Sequence, residues 1–135
     1  MDLLELKREQ EKLSHRISLR DTFSEVKTIG AAVCQPMGSK LLACVVVCEF
    51  PSFKIKEKKT YLLENPLPYR PGFEAYREMP AIIEAFNQLD EEPEVLLVKG
   101  AGVLHSRRIG MASHLGLALN VPTIGVQDAL YFGTV

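Results

Sequence analysis

The sequence predicts a single α/β domain built on a mixed sheet, and three observations carry that reading. Three strand-like segments lie between residues 26 and 63, joined by connections too short for anything but antiparallel pairing. After them, strand-like and helical runs alternate, which is the pattern of right-handed parallel crossover units. The length of 135 residues, with 47% hydrophobic and 24% charged composition, suits one domain with a packed core and excludes wholesale disorder.

The elements follow in order. Leu3, Leu6, Leu13 and Ile17 recur at helical spacing among charged residues, predicting an amphipathic helix over 3–19. Residues 26–34 (VKTIGAAVC) read as a strand, 36–39 as a turn, and 41–50 (LLACVVVCEF) as a buried central strand. Pro51 and Ser52 break that run. Phe53 and Ile55 then alternate with Lys54 and Lys56, predicting a third strand to Leu63 with one wet face. The stretch NPLPYRPG (65–72) must be an extended, stiff loop. A helix is predicted over 74–89, with Met79, Ile83 and Phe86 on one side and Pro80 marking either its first turn or a kink. A doubly buried strand over 94–98, a glycine loop over 99–102, a helix over 106–119 and a strand over 122–126 complete the pattern, with helices on the faces of the sheet. No internal repeat is visible.

Charge and cysteine content narrow the class. Sixteen basic residues against seventeen acidic ones give a net charge of −1, which argues against a histone-like polycation while leaving a local basic patch open. No apolar run approaches the roughly 18 residues of a membrane span. With charges from Asp2 onward, no secretory signal is expected, so the sequence reads as an intracellular, cytoplasmic protein without membrane contact. Cys34, Cys44 and Cys48 lie in apolar stretches without CxxC spacing and read as small core residues.

Two loops are candidates for chemistry. One is KGAGVLHSRR (99–108) at the carboxyl end of a parallel strand, where α/β sheets place their sites. Its glycines permit close approach to the backbone, a following helix N-terminus favours an anion, and His105 is a candidate acid, base or ligand. A purely structural strand–glycine–helix turn fits the same residues. The other is Pro68–Tyr69–Arg70–Pro71–Gly72, either a rigid aromatic projection suited to stacking on a base or a packed turn. Lys54–Lys59 (KIKEKK) is either a phosphate-tracking strip or a solvated strand face. His15 reads as a surface residue; His114, Tyr76 and Phe86 read as packing residues.

At these residues the sequence resembles a known family. The stretches PYRPGFEAYREMPAI, VLLVKGAGVLHSRRIGMASHLGLALNVPTIGV and CVVVCEFPSFKI, with KREQEKL and TIGAAV, are similar to endonuclease V, the nuclease of deaminated, inosine-containing nucleic acid. The resemblance implies a ribonuclease H-like fold over 1–135, without the C-terminal portion that family members carry. It implies a wedge at Pro68, Tyr69, Pro71 and Gly72, and a base pocket at Gly72, Glu74, Gly100 and Gly110. Glu78 matches the helical glutamate of the family's Mg²⁺ site, and His105 its active-site histidine. Arg70, Arg77, Arg107 and Arg108 become candidate phosphate contacts.

The rest of the implied catalytic set is replaced. Ala32 and Lys99 stand where the family has metal-binding aspartates, and Asp128 stands where it has a lysine. Phosphodiester hydrolysis of this kind needs clustered carboxylates around a cation, and an ammonium in that place repels Mg²⁺. The expectation is therefore a protein that binds DNA or RNA, single- or double-stranded, and recognises inosine without metal-dependent cleavage. The alternatives are an active Mg²⁺-dependent nuclease with a rearranged site using Glu78, His105 and Asp128, and a degenerate partner-binding module. An ion pair from Lys99 to Glu78 or Asp128 is expected to stand in for the metal.

Overall fold

The computed structural model describes residues 2–20 and 25–128. Its elements run α1 (Leu3–Ser14), β1 (Thr28–Met37), β2 (Lys40–Glu49), β3 (Ile55–Leu63), α2 (Glu74–Phe86), β4 (Val95–Lys99), α3 (Met111–Leu119) and β5 (Thr123–Val126). They form one five-stranded mixed sheet in the order β3-β2-β1-β4-β5. The meander β1-β2-β3 is antiparallel, and β4 and β5 add to β1 in parallel.

Why these residues take these places follows from side-chain alternation. In β2, Leu41, Ala43, Val45 and Val47 are buried while their neighbours are only half-buried. The buried set meets Ala32 of β1, Leu96 and Val98 of β4, and the apolar faces of α2 and α3. The mixture of small and branched side chains lets α2 lie close: Ala75, Ala81 and Ala85 are all under 3% exposed. Phe86 belongs to this core as expected. Helix α1 instead rests on α2 and on the loop before α3, through Tyr76, Gln10 and Arg107.

Several boundaries differ from the sequence expectation: β1 runs to Met37, so Pro36 and Met37 pair with β2 where a turn was expected, and α2 stops at Phe86, short of residue 89. Helix α1 begins at an Asp2 cap, whose carboxylate accepts from the Leu4 and Glu5 N–H groups, and ends at Ser14, short of residue 19. Pro80 lies well inside α2, not at its first turn. Helix α3 begins at Met111, not at 106, because Arg108 has a positive φ and Gly110 is extended against Ala101. Residues 101–110 are therefore a loop, and the two arginines do not sit at a helix N-terminus.

The cysteines are free thiols. Cys34 lies on the helix side of the sheet, where its Sγ approaches the Glu78 carbonyl at 3.7 Å. Cys44 and Cys48 share the opposite side and are half-buried, so of the three only Cys34 joins the packed core. Strand β3 keeps its polar alternation, with Lys58 and Thr60 exposed and Tyr61 and Leu63 packed inward.

Candidate functional site

A cleft of about 470 Å³ opens at the carboxyl ends of β4 and β5. That volume falls within the range of small-ligand sites. Its walls come from three segments: the Tyr69–Gly72 loop with the start of α2, the loop after β4, and the residues following β5. Tyr69, Pro71, Gly72, Glu74, Glu78, Lys99, Gly100, His105, Gly110 and Asp128 all line it, so almost every residue named from sequence converges here. Ala32 lies in the core instead, at 3% exposure.

Gly72 is the hinge of the near wall. Its φ of +84° is a conformation that side chains disfavour, and an added Cβ would sit 2.9 Å from the Arg107 guanidinium. Its N–H donates to Glu74 Oε1 at 3.1 Å. Its carbonyl accepts from three groups: Gln10 Nε2 at 3.0 Å, Arg107 Nη2 at 3.1 Å and His105 Nε2 at 2.8 Å. Tyr69, just before it, is 63% exposed, so the aromatic projects instead of packing.

His105 is tied at both nitrogens. Its Nδ1 accepts from the Arg107 backbone N–H at 3.0 Å, which leaves the proton on Nε2 for the Gly72 carbonyl. Burial holds its pKa below the usual imidazole range, with the Arg107 charge acting the same way. A neutral ring joining two loops is what this geometry provides. Arg107, expected to meet phosphate, spends its donors inside the protein: Nε on Gln10, Nη1 on Ser106 and Nη2 on Gly72, with the guanidinium 4.6 Å above the Phe73 ring. Arg77 Nη1 likewise donates to the Leu67 carbonyl. Exposed Arg70 and Arg108 remain the arginines free of such inward contacts on these loops.

Sequence reasoning missed Gln10, which is fully buried and links α1 to both loops. The signal was present: Gln10 falls between Leu6 and Leu13 on the inward side of α1, where a polar residue needs a partner. His114 is buried, packed edge-on to Tyr76 at 5.3 Å, in keeping with its expected packing role. His15 is exposed.

Glu78 lies one turn beyond Glu74 on α2 and is half-buried. Burial, then the Glu74 charge, raise its pKa, while Arg77 and Lys99 oppose the shift. Lys99 and Glu78 thus sense each other across the cleft, yet the ion pairs among the described residues are Lys40–Glu64 and Lys56–Glu91 on the surface. The expected Lys99–Glu78 pair is not formed: Lys99 is exposed at the end of β4 and Glu78 is half-buried on α2, and the two do not come within ion-pair distance. Asp128 lines the same cleft and makes its own interactions.

The donor set does not fit a carboxylate-held cation. Among the described residues no three His, Cys, Asp or Glu side chains gather as a metal site. Glu74 is committed to the Gly72 N–H, the residue at 32 is a buried methyl, and Lys99 brings a positive charge to the space.

Replacing Glu78 by Gln is expected to raise Tm by a few degrees at pH 7. A carboxyl whose folded pKa is raised binds protons more readily folded than unfolded, so its ionisation at neutral pH opposes folding. The advantage of the variant should fade as pH falls and the wild-type carboxyl protonates. His105 and His114 act oppositely, since burial lowers both: their contribution is present above about pH 6.5 and is lost on acidification. Thermal melts of both proteins from pH 8 to 4 check the two signs. A lower Tm for the variant at pH 7 would contradict the argument.

Comparison with known proteins agrees with this geometry. Residues 11–135 match the family described as Endonuclease V. The chain is 37% identical over 124 residues to endonuclease V of Dictyoglomus turgidum, and 38% identical over 133 residues to that of Rippkaea orientalis. These alignments cover 92% and 97% of the chain but only 54% and 58% of the relatives, so the chain spans just over half their length. The crystal structure of the catalytic domain of human endonuclease V superposes with a TM-score of 0.87 at 34% identity, covering 95% of this chain and 59% of that one. Endonuclease V of Ciona intestinalis, crystallised with a 23-mer DNA containing an inosine followed by a ribo-adenosine, gives 0.89 at 32% identity, covering 95% and 58%. The sheet is thus the ribonuclease H-like one, and no described helix is long and apolar enough to cross a membrane. By sequence and by fold alike, the chain belongs to the endonuclease V family.

Proposed function

We propose that this chain binds inosine-containing nucleic acid in the cleft beside Tyr69 and does not cleave it by a metal-dependent route. One observation carries the reading: Tyr69, Gly72 and Gly100 line one cleft of about 470 Å³, while Lys99 occupies the end of β4 and Ala32 leaves no carboxylate on β1. The Ciona relative's inosine-containing DNA supports the ligand class.

Each wall has a task in this reading. Tyr69 stands out on a loop stiffened by Pro68 and Pro71 and stacks on a base beside the bound one. An extruded base enters between Gly72 and Gly100, where the missing side chains let backbone groups approach its edge. The Lys99 ammonium pairs with the phosphate and needs no cation to do so. Arg107, His105 and Gln10 hold the Gly72 carbonyl and so position the wall without touching the ligand.

The test is anisotropy with a labelled single-stranded oligonucleotide carrying one inosine, alongside a cleavage assay with Mg²⁺ or Mn²⁺ and an EDTA control. Affinity in EDTA should equal that in Mg²⁺. Tyr69→Ala should weaken binding about 10- to 100-fold, as expected for one lost stacking contact of about 1–3 kcal/mol. Cutting near the inosine that needs metal and disappears in Glu78→Ala would overturn the proposal in favour of a rearranged nuclease. An affinity indifferent to Tyr69→Ala, in folded protein, would point to a partner-binding module.

A further inference from the structure

A buried histidine adjoins the contact that holds α1 to the cleft wall. His114 of α3 is 5% exposed, with its ring edge-on to Tyr76 at 5.3 Å. Its Nδ1 is buried and meets no hydrogen-bond partner among the described residues. The same Tyr76 donates its hydroxyl to Glu9 Oε1 of α1 at 2.8 Å. The next residue of α1, Gln10, donates to the Gly72 carbonyl and accepts from Arg107 Nε. These polar contacts carry the attachment of α1 to the wall. Of its twelve residues only Gln10 is buried, and none belongs to the apolar core.

We propose that protonation of His114 releases α1 and with it the Gly72 wall of the cleft, which makes α1 an acid-sensitive strap. In an imidazolium both nitrogens are donors, so Nδ1 becomes a charged donor with nothing to accept from it. The titratable groups that bear on the ring are Glu9 from α1, Tyr76 from α2 and His105 from the loop after β4. Tyr76 keeps its proton, because burial and Glu9 push its hydroxyl up. His105 opposes a second positive charge, which leaves the Glu9 carboxylate as the ring's acceptor. A turn of Glu9 toward His114 takes it from Tyr76, and entry of water to the ring parts α1 from α2. Either way the Tyr76–Glu9 bond is lost. Gln10 then leaves with α1, and Gly72 and Arg107 each lose a partner. Burial holds the His114 pKa down, so α1 is seated above about pH 6.5 and is released as pH falls through the folded value.

The test is hydrogen exchange of the 135-residue chain from about pH 8 to 5, corrected for the chemical rate of exchange. Protection over Leu3–Ser14 should fall by up to about tenfold per pH unit below about 6.5, the slope of one proton. Amides of β2 and β4 should stay protected over the same range. His114→Phe keeps an aromatic ring without a proton site and should flatten that slope. A magnetic-resonance titration of the imidazole carbons in the unaltered chain does not depend on a variant folding, and His114 should titrate as α1 is released. Oligonucleotide affinity should fall more steeply with acid in the wild type than in His114→Phe; this arm alone rests on the nucleic-acid reading of the cleft. Release of α1 in a chain that binds no oligonucleotide at any pH supports the strap and overturns that reading only. A slope that survives His114→Phe assigns the release to His105 and overturns the proposal. Loss of α1 and sheet protection together, or an α1 protected down to pH 5, overturns it as well.

Discussion

Gly110→Ala is expected to lower Tm by about 10 °C, a large loss for one methyl group. The backbone there has φ −75° and ψ −177°, which alanine adopts freely, so the effect is purely one of space. An added Cβ would lie 2.4 Å from the Ala101 carbonyl oxygen and 2.5 Å from its Cβ. Neither neighbour can give way cheaply. The Ala101 carbonyl accepts from Ala112 N–H at 2.9 Å, and Gly110 N–H donates to the Gly102 carbonyl at 2.7 Å. Moving the chain breaks both bonds and shifts the wall of the cleft, at a cost of about 3 kcal/mol. Gly38→Ala is the contrast: φ is +63° with nothing within 4 Å, so only the left-handed conformation is penalised, by about 1 kcal/mol. Melts of the two variants side by side check this, and equal losses would show that Ala101 yields more readily than argued.

Arg107→Ala is expected to cost about as much, and to weaken oligonucleotide binding without removing a ligand contact. The change leaves the oxygen of fully buried Gln10 without its donor and strips one of three donors from the Gly72 carbonyl. An orphaned buried acceptor costs about 1–3 kcal/mol, and the stacking of the guanidinium on Phe73 adds about 1 kcal/mol. Arg107→Lys should restore only part of the loss, since one ammonium cannot serve Gln10 and Gly72 with the geometry of a planar fork. A positioning role predicts that Arg107→Ala and Gln10→Ala lower Tm together and change the salt dependence of binding little. A direct phosphate contact would instead reduce the salt slope by about one unit. Salt titrations of affinity decide between them.

The sequence made the sheet legible because strands advertise themselves through runs such as LLACVVVCEF and VLLV, and short turns dictate how neighbours pair. The site was legible for a different reason. Glycines, prolines and the isolated Tyr69 and His105 are residues a simple core does not require at those places. What local pattern could not show was which way long polar side chains turn. Arg107 reads as an outward cation in any linear view. Only the packing of α1 reveals that Gln10, far away in sequence, claims it. The start of α3 was misplaced for a related reason: Ser106 and Arg107 form a turn, Arg108 is left-handed and Gly110 is extended against Ala101, so the helix cannot begin before Met111. The Lys99–Glu78 pair failed because facing the same cleft does not bring two side chains within reach.

The strand order bears on how the chain acquires its shape. Strands β3, β2 and β1 meet through short connections and close early, at little entropic cost, while β4 returns from far along the chain to pair with β1. Every wall of the cleft depends on that return. Gly72 is synthesised well before His105 and Arg107, the partners that fix its carbonyl, and Lys99 arrives only with β4 itself. On a ribosome, the meander and α2 therefore emerge first, with one flank of β1 still unpaired. Competence to hold a ligand waits until the central strand gains its second neighbour and β5 brings the residues that close the cleft.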